Sequence, residues 1–283
     1  MYLFSTIRTT YGAMSSSGLI TTNFQIMTND NKQQKLSDST EPAITYSTCY
    51  RLPFLSLFHA DCMEIMKQYP DKYFDLAVVD PPYGIGASAD SRVGGSYTVN
   101  LGGVKKKVAA KQYTPKDWDF EKPTLEYWNE LKRVSKNQIV WGGNYFASNL
   151  EDTPCWLVWN KRNGKNNNAD CEIAWTSFKT AVRMFEWRWN GMLQQNMKDK
   201  EERIHPTQKP VALYEWILQN YASEGDLILD THFGSGSIAL AVDKANRLDK
   251  MNLHLTACEI DKEYIDKAIK RISESIKQGT LPF

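Results

Sequence analysis

Short apolar runs recur along the chain, most of them ending at a carboxylate, a glycine or an asparagine, with stretches of helical spacing between them. Between positions 73 and 79, Tyr73, Phe74, Leu76, Ala77, Val78 and Val79 crowd together, and such a run predicts a buried strand. The strand must stop at Asp80, because neither Pro81 nor Pro82 has an N–H for a sheet ladder. Runs at 55–61, 138–141, 155–159, 226–230 and 253–258 predict further strands. Apolar residues three and four apart predict helices over 62–69, 124–134, 210–221, 238–246 and 263–277, the last aligning Ile265, Ile269, Ile272 and Ile276 on one face. Thr207 stands where it can N-cap the helix that starts at Pro210. Strands alternating with helices predict an α/β, Rossmann-like fold around a mostly parallel, doubly wound sheet.

Three stretches break this rhythm. Residues 1–48 are dominated by Ser, Thr, Asn and Gln and read as a flexible arm, leaving 49–283 as one domain. Residues 85–116 are rich in Gly and Ser, and from Ser91 to Lys116 there is no acidic residue. That span holds Arg92, Lys105, Lys106, Lys107 and Lys111, interleaved with Tyr97 and Tyr113. It reads as a basic, mobile loop that contacts phosphates, the plainer alternative being a solvated loop. Residues 163–203 mix Trp175, Trp187, Arg188 and Trp189 with Asn, Gln and Lys. That composition suits an inserted recognition segment, and equally a small antiparallel sheet with a tryptophan core. Lys161 and Arg162, just before it, join the candidate phosphate contacts.

Composition narrows the class without naming a chemistry. Lys and Arg total 34 against 33 Asp and Glu, so a nucleic-acid surface has to be local. The five cysteines form no C-x-x-C pair, which argues for a reducing compartment and against a zinc site or disulfide framework. No apolar run reaches membrane-spanning length, so the expectation is a soluble, cytoplasmic protein without a metal.

The chemistry gathers at strand ends. Asp80-Pro81-Pro82-Tyr83 is a stiff turn holding a carboxylate and an aromatic ring at the carboxyl end of a strand, where open α/β sheets bind ligands. The alternative is a proline-stiffened strand exit with a capping Asp. Further on comes His205-Pro206-Thr207-Gln208-Lys209-Pro210, and then a strand, a glycine loop from Thr231 to Ser237 and a helix. Glycines in that setting let the backbone approach a ligand beside free helix N–H groups. Glu259 follows the next strand and can accept from the two hydroxyls of a ribose. Gly234, Gly236, Ala239 and Glu259 also fit a dinucleotide fingerprint, so a nicotinamide-dependent dehydrogenase stays in view. Against it, the fingerprint lies near the end of the chain and leaves Asp80-Pro81-Pro82-Tyr83 without a task.

Taken together, Asp80-Pro81-Pro82-Tyr83, then 205–210, then Phe233-Gly234-Ser235-Gly236 resemble the DNA amino-methyltransferases, in the motif order of their circularly permuted beta class. The resemblance spans about residues 55–275. It implies transfer of a methyl group from S-adenosylmethionine to an exocyclic amine of a base flipped out of duplex DNA. It implies catalysis by Asp80, Pro81, Pro82 and Tyr83. Around the cofactor it places Asp61, Thr207, Lys209, Asp230, Phe233, Gly234, Ser235, Gly236, Ser237 and Glu259, with Asp61 on the adenine, Glu259 on the ribose and Lys209 on the carboxylate. One departure stands out: the family's Asp-Pro-Phe-x-Gly-Ser-Gly has Thr231 and His232 in place of Pro-Phe. An Asp at the head of the turn resembles the adenine-N6 enzymes more than the cytosine-N4 enzymes. A silent DNA-binding subunit is a further alternative, which the intact motifs oppose. A cognate restriction endonuclease and a second copy of the chain complete the partners that the resemblance raises.

Overall fold

The computed structural model describes residues 24–28, 42, 44–86, 96–101, 104–109, 119–163, 169–190 and 193–279. In chain order the strands are β1 (Gln25–Thr28), β2 (Thr48–Leu52), β3 (Leu55–His59), β4 (Phe74–Val79), β5 (Ser96–Leu101), β6 (Val104–Ala109), β7 (Ser135–Trp141), β8 (Trp156–Asn160), β9 (Cys171–Thr176), β10 (Arg183–Glu186), β11 (Trp189–Asn190), β12 (Leu193–Gln194), β13 (Leu227–Asp230) and β14 (His254–Glu259). The helices are α1 (Cys62–Met66), α2 (Leu125–Val134), α3 (Val211–Tyr221), α4 (Ser237–Leu248) and α5 (Lys262–Gly279). Among the described residues the main sheet runs β1-β2-β3-β14-β13-β4-β7-β9-β8-β10. From β3 to β7 every neighbouring pair is parallel, while β1, β2 and β9 run antiparallel to their neighbours. This is the α/β, mostly parallel architecture that the strand–helix alternation predicts.

Period-two side-chain alternation gives each central strand two buried faces. On β4, Leu76 and Val78 join a core with Leu213 and Ile217 of α3, Ala241 of α4 and Ile265 and Ile272 of α5. Ala77 and Val79 enter the opposite core, with Ile65 of α1 and Tyr127, Trp128 and Leu131 of α2. Helices cover both faces of the five parallel strands, whose carboxyl ends share one edge because they run the same way. Each fully buried Leu or Val side chain contributes about 1.5–3 kcal/mol to that arrangement. No described helix is long and apolar enough to cross a membrane.

Several expectations need correction. The span 1–48 is not wholly an arm: β1 and the start of β2 extend the sheet edge, and Phe24, Ile44 and Tyr46 are buried. These few apolar residues, scattered among Ser, Thr and Asn, carry no readable period. Within 85–116, β5 and β6 form an antiparallel hairpin, with Lys105, Lys106 and Lys107 on β6. Arg92 and Lys111 lie outside the described residues. The span 163–203 contributes to the main sheet itself, since β9 slots between β7 and β8, and Trp175 and Trp189 are buried. Thr207 does not cap α3. That helix begins after Pro210, and the N–H of Val211 is taken by the carboxylate of Glu201 at 3.1 Å. Proline at the cap position leaves the first free N–H one residue later than a Thr207 cap would reach.

Candidate active site

The parallel strands deliver their chemical residues to a single edge. In sheet order, β3 runs into Asp61, β14 ends at Glu259, β13 ends at Asp230, β4 runs into Asp80 and β7 runs into Gly142. Motifs separated by more than a hundred positions in sequence become neighbours because β13 and β4 pair directly, Leu229 with Ala77.

Several contacts hold Tyr83. Its hydroxyl donates to Asp80 Oδ1 at 2.6 Å, and its ring stacks on Tyr145 with centroids 4.8 Å apart and planes 15° off parallel. Its backbone N–H donates to Asp119 Oδ1 at 2.8 Å, and that of Gly84 donates to the same oxygen at 3.2 Å. The ring also lies against Gly142, whose φ of 70° is left-handed, and a Cβ there would stand 2.2 Å from the tyrosine ring. Burial, and then the Asp80 charge, push the Tyr83 phenol well above its ordinary value, so it stays a hydrogen-bond donor.

Lys209 is the cation of the site, with only 2% of its side chain exposed. It pairs with Asp80 Oδ2 and lies 3.3 Å from Glu172 Oε2. Burial acts against the ammonium, but the two carboxylates outweigh it and raise Lys209 above its ordinary value. Burial likewise opposes the Glu172 carboxylate, yet Lys209 and Lys161 hold it at about 2. Glu172 escaped the sequence reading, because an acid within an otherwise unremarkable strand carries no motif.

A cavity of about 370 Å³ opens beside this cluster, lined by Asp80, Pro82, His205, Thr207, Gln208, Lys209, Tyr214, His232, Phe233, Gly234, Ser235, Glu259, Ile260, Asp261 and Tyr264. Gly234 has φ 51° and no atom closer than 3.8 Å to where its Cβ would be, so the backbone itself forms the wall. Glu259 is fixed by the N–H groups of Gly234 and Asp261, at 2.8 and 2.9 Å, with lone pairs to spare. A cavity of this size, with the Gly234 backbone and the carboxylates of Asp80, Glu259 and Asp261 in its lining, suits a nucleoside whose appended chain carries positive charge.

A DNA methylase family model matches residues 158–270. Type II methyltransferase M.HinfI of Haemophilus influenzae is 26% identical over 268 residues, 77% of this chain and 68% of that protein. Type II methyltransferase M.ScaI of Streptomyces caespitosus is 24% identical over 270 residues, 79% and 83% of the two chains. In these comparisons the chain is similar to DNA methyltransferases. Among solved structures, the M1.HpyAVI–SAM complex resembles it with a TM-score of 0.46 and 20% identity, over 77% of this chain and 98% of the other. The cytosine-N4-specific PvuII methyltransferase resembles it with a TM-score of 0.47 and 14% identity, over 85% and 94%.

Of the predicted cofactor residues, the fold places Thr207, Lys209, Phe233, Gly234, Ser235 and Glu259 around the cavity. Asp61, Asp230, Gly236 and Ser237 are not among its lining residues. Asp61 caps α1, accepting from Met63 N at 2.7 Å. Ser237 is buried, donating to the carbonyl of Lys209 at 2.8 Å. Asp230 is buried and accepts from His232 N at 3.0 Å, and burial raises its carboxyl to about 8. Lys209 lines the cavity, with its ammonium paired to Asp80 and Glu172. Lys161, an expected phosphate contact, is paired with Glu172 and stands over the Trp159 ring. Arg162 is exposed.

The departure at Thr231-His232 builds a small network. Tyr127 Oη and Thr231 Oγ1 are 2.7 Å apart, and Thr231 Oγ1 lies 2.8 Å from His232 Nδ1, with the imidazole on the cavity wall. Burial lowers that imidazole to about 4, so it is neutral at pH 7. Gln208, in the second motif, proves to be scaffolding: its side chain bonds Ile204 N and the carbonyl of Glu202.

Proposed function

We propose that this chain is a DNA amino-methyltransferase that uses S-adenosylmethionine to modify the N6 amine of adenine in duplex DNA. The observation that carries the reading is the rigid Asp80–Tyr83 turn, with Asp80 and Pro82 lining the same cavity as Gly234 and Glu259. An amine inside a duplex is out of reach, and extruding its base costs a few kcal/mol. Stacking on an aromatic ring returns about 1–3 kcal/mol, which is the part for Tyr83, braced from behind by Tyr145.

The amine itself is a weak nucleophile because its lone pair is delocalised into the base. The Asp80 carboxylate and the Pro81 carbonyl can accept its two hydrogens, which favours a tetrahedral nitrogen with its lone pair freed. Bound S-adenosylmethionine supplies an electrophilic methyl on a sulfonium. As the N–C bond forms and the C–S bond breaks, with its electron pair staying on sulfur, Asp80 offsets the positive charge on nitrogen until a proton leaves. Glu259 would hold the ribose, and the backbone around Gly234 would pass along the methionine portion. Asp at the head of the turn supports adenine over cytosine through its resemblance to the N6 enzymes, and the order of motifs supports the permuted beta class.

We read the basic hairpin β5–β6 and exposed Arg162 as phosphate contacts. We also read the chain as the modification half of a restriction–modification pair, acting beside an endonuclease of the same specificity. A second copy would complete the grip on DNA, and sedimentation as a monomer both alone and on DNA would remove that part. The deciding experiment is methyl transfer from labelled S-adenosylmethionine to mixed-sequence duplex DNA, with nucleoside analysis and Asp80→Ala in parallel. N6-methyladenine that disappears in the variant is the expected result. N4-methylcytosine would overturn the choice of base, and cofactor binding without transfer to any target-bearing DNA would point to a silent subunit.

A further inference from the structure

Four charges stand in an alternating row across the floor of the site: Lys161, Glu172, Lys209 and Asp80. Methyl transfer as described uses Asp80 and gives the other three nothing to do. Yet Asp80 already accepts from Tyr83 on Oδ1 and its charge is neutralised by Lys209 on Oδ2. For Asp80 to give its full charge to the nitrogen that turns cationic, Lys209 has to let go of it. The ammonium cannot retreat to solvent, being buried and seated 5.4 Å from the centre of the Trp141 ring. An unpaired ammonium in that place is strongly disfavoured, so it needs a second anion within a short swing.

Glu172 is that anion. It lies on β9, its Oε2 is 3.3 Å from Lys209 Nζ, and its other oxygen is pinned by Lys161. Resting on the reading that Asp80 is the acceptor for the target amine, we propose that Glu172 is a positioning residue that takes over the Lys209 ammonium when the base enters. The exchange conserves charge: Lys209 and Glu172 then neutralise one another, and Asp80 keeps its full charge for the nitrogen that turns cationic as the N–C bond forms. Without Glu172, Lys209 stays on Asp80 and competes with the substrate. Lys161 fixes the Glu172 side chain and so takes no part in binding phosphate.

The test uses the full chain with labelled S-adenosylmethionine and duplex DNA, comparing wild type, Glu172→Gln, Glu172→Asp, Lys209→Met and the double variant Glu172→Gln with Lys209→Met. Glu172→Gln should lower the single-turnover rate by about tenfold or more while the cofactor Kd stays within about twofold. Glu172→Asp should recover part of the rate, and Glu172→Gln should cost nothing further once Lys209 is Met. An unchanged rate in Glu172→Gln, a cofactor Kd that weakens in step with the rate, or multiplicative losses in the double variant would each overturn the proposal. Should Glu172→Gln fail to fold, Glu172→Asp is judged by the same rate and Kd criteria. The wild-type arm separates this from the choice of base: label on cytosine would refute adenine while leaving the variant ratios to judge Glu172.

Discussion

The Asp119 carboxylate accepts the backbone N–H of Tyr83 at 2.8 Å. Asp119 lies beyond the far end of the basic segment and Tyr83 just before its start, and the Asp119 carbonyl also accepts from Gly86 N at 3.0 Å. The two ends of a stretch read as DNA-contacting are thus fastened onto the turn that follows Asp80.

Replacing Asp119, which is 2% exposed, by Ala strips the acceptor from two N–H groups in a half-buried turn. The expected loss is about 1–3 kcal/mol of stability. The turn should also shift enough to lower kcat by roughly ten- to a hundredfold. Thermal melting alongside single-turnover transfer checks this, and a stable variant with wild-type kcat would refute the coupling.

Gly142→Ala is expected to be worse for activity than for folding. Its Cβ would stand 2.2 Å from the Tyr83 ring, so either the ring leaves its place on Tyr145 or β7 moves. Cofactor binding on the far side of Asp80 should survive while transfer falls by about a hundredfold. Cofactor titration paired with kcat distinguishes this from general unfolding.

Thr231→Val removes the hydroxyl between Tyr127 and His232 and leaves the buried Tyr127 hydroxyl without that partner. A loss of about 1–3 kcal/mol is expected, read as a lower denaturant midpoint at constant m. Tyr127→Phe added to Thr231→Val should cost little more, since no orphaned hydroxyl is then left.

Burial lifts the Asp230 carboxyl to about 8, helped by Asp80 and Glu259 and opposed by the His232 N–H and Lys209. The folded chain therefore binds a proton there that the unfolded chain has already lost, so stability from this group declines as pH rises towards 8 and levels off above it. The buried histidines act in the opposite sense, but only below their ordinary value near 6.5. Between about pH 6.5 and 8 the Asp230 slope should stand clear, and Asp230→Asn should flatten it in chemical denaturation. A slope that persists in Asp230→Asn would assign the effect elsewhere.

The central strands, the helices between them and the motif residues were legible in the sequence. Apolar period and proline and glycine punctuation are local signals, and residues 73–83 and 226–237 carry them strongly. The family resemblance followed from the same local strings. Only the tertiary structure decided which of those residues share the cavity, and it turned Asp61, Asp230 and Ser237 to capping, burial and scaffolding. It also placed β9 beside β7, bringing Glu172 to Lys209, and sealed Asp119 onto Tyr83. These pairings join residues dozens of positions apart through strand order and register, and single-sequence periodicity holds no information about which strands will be neighbours.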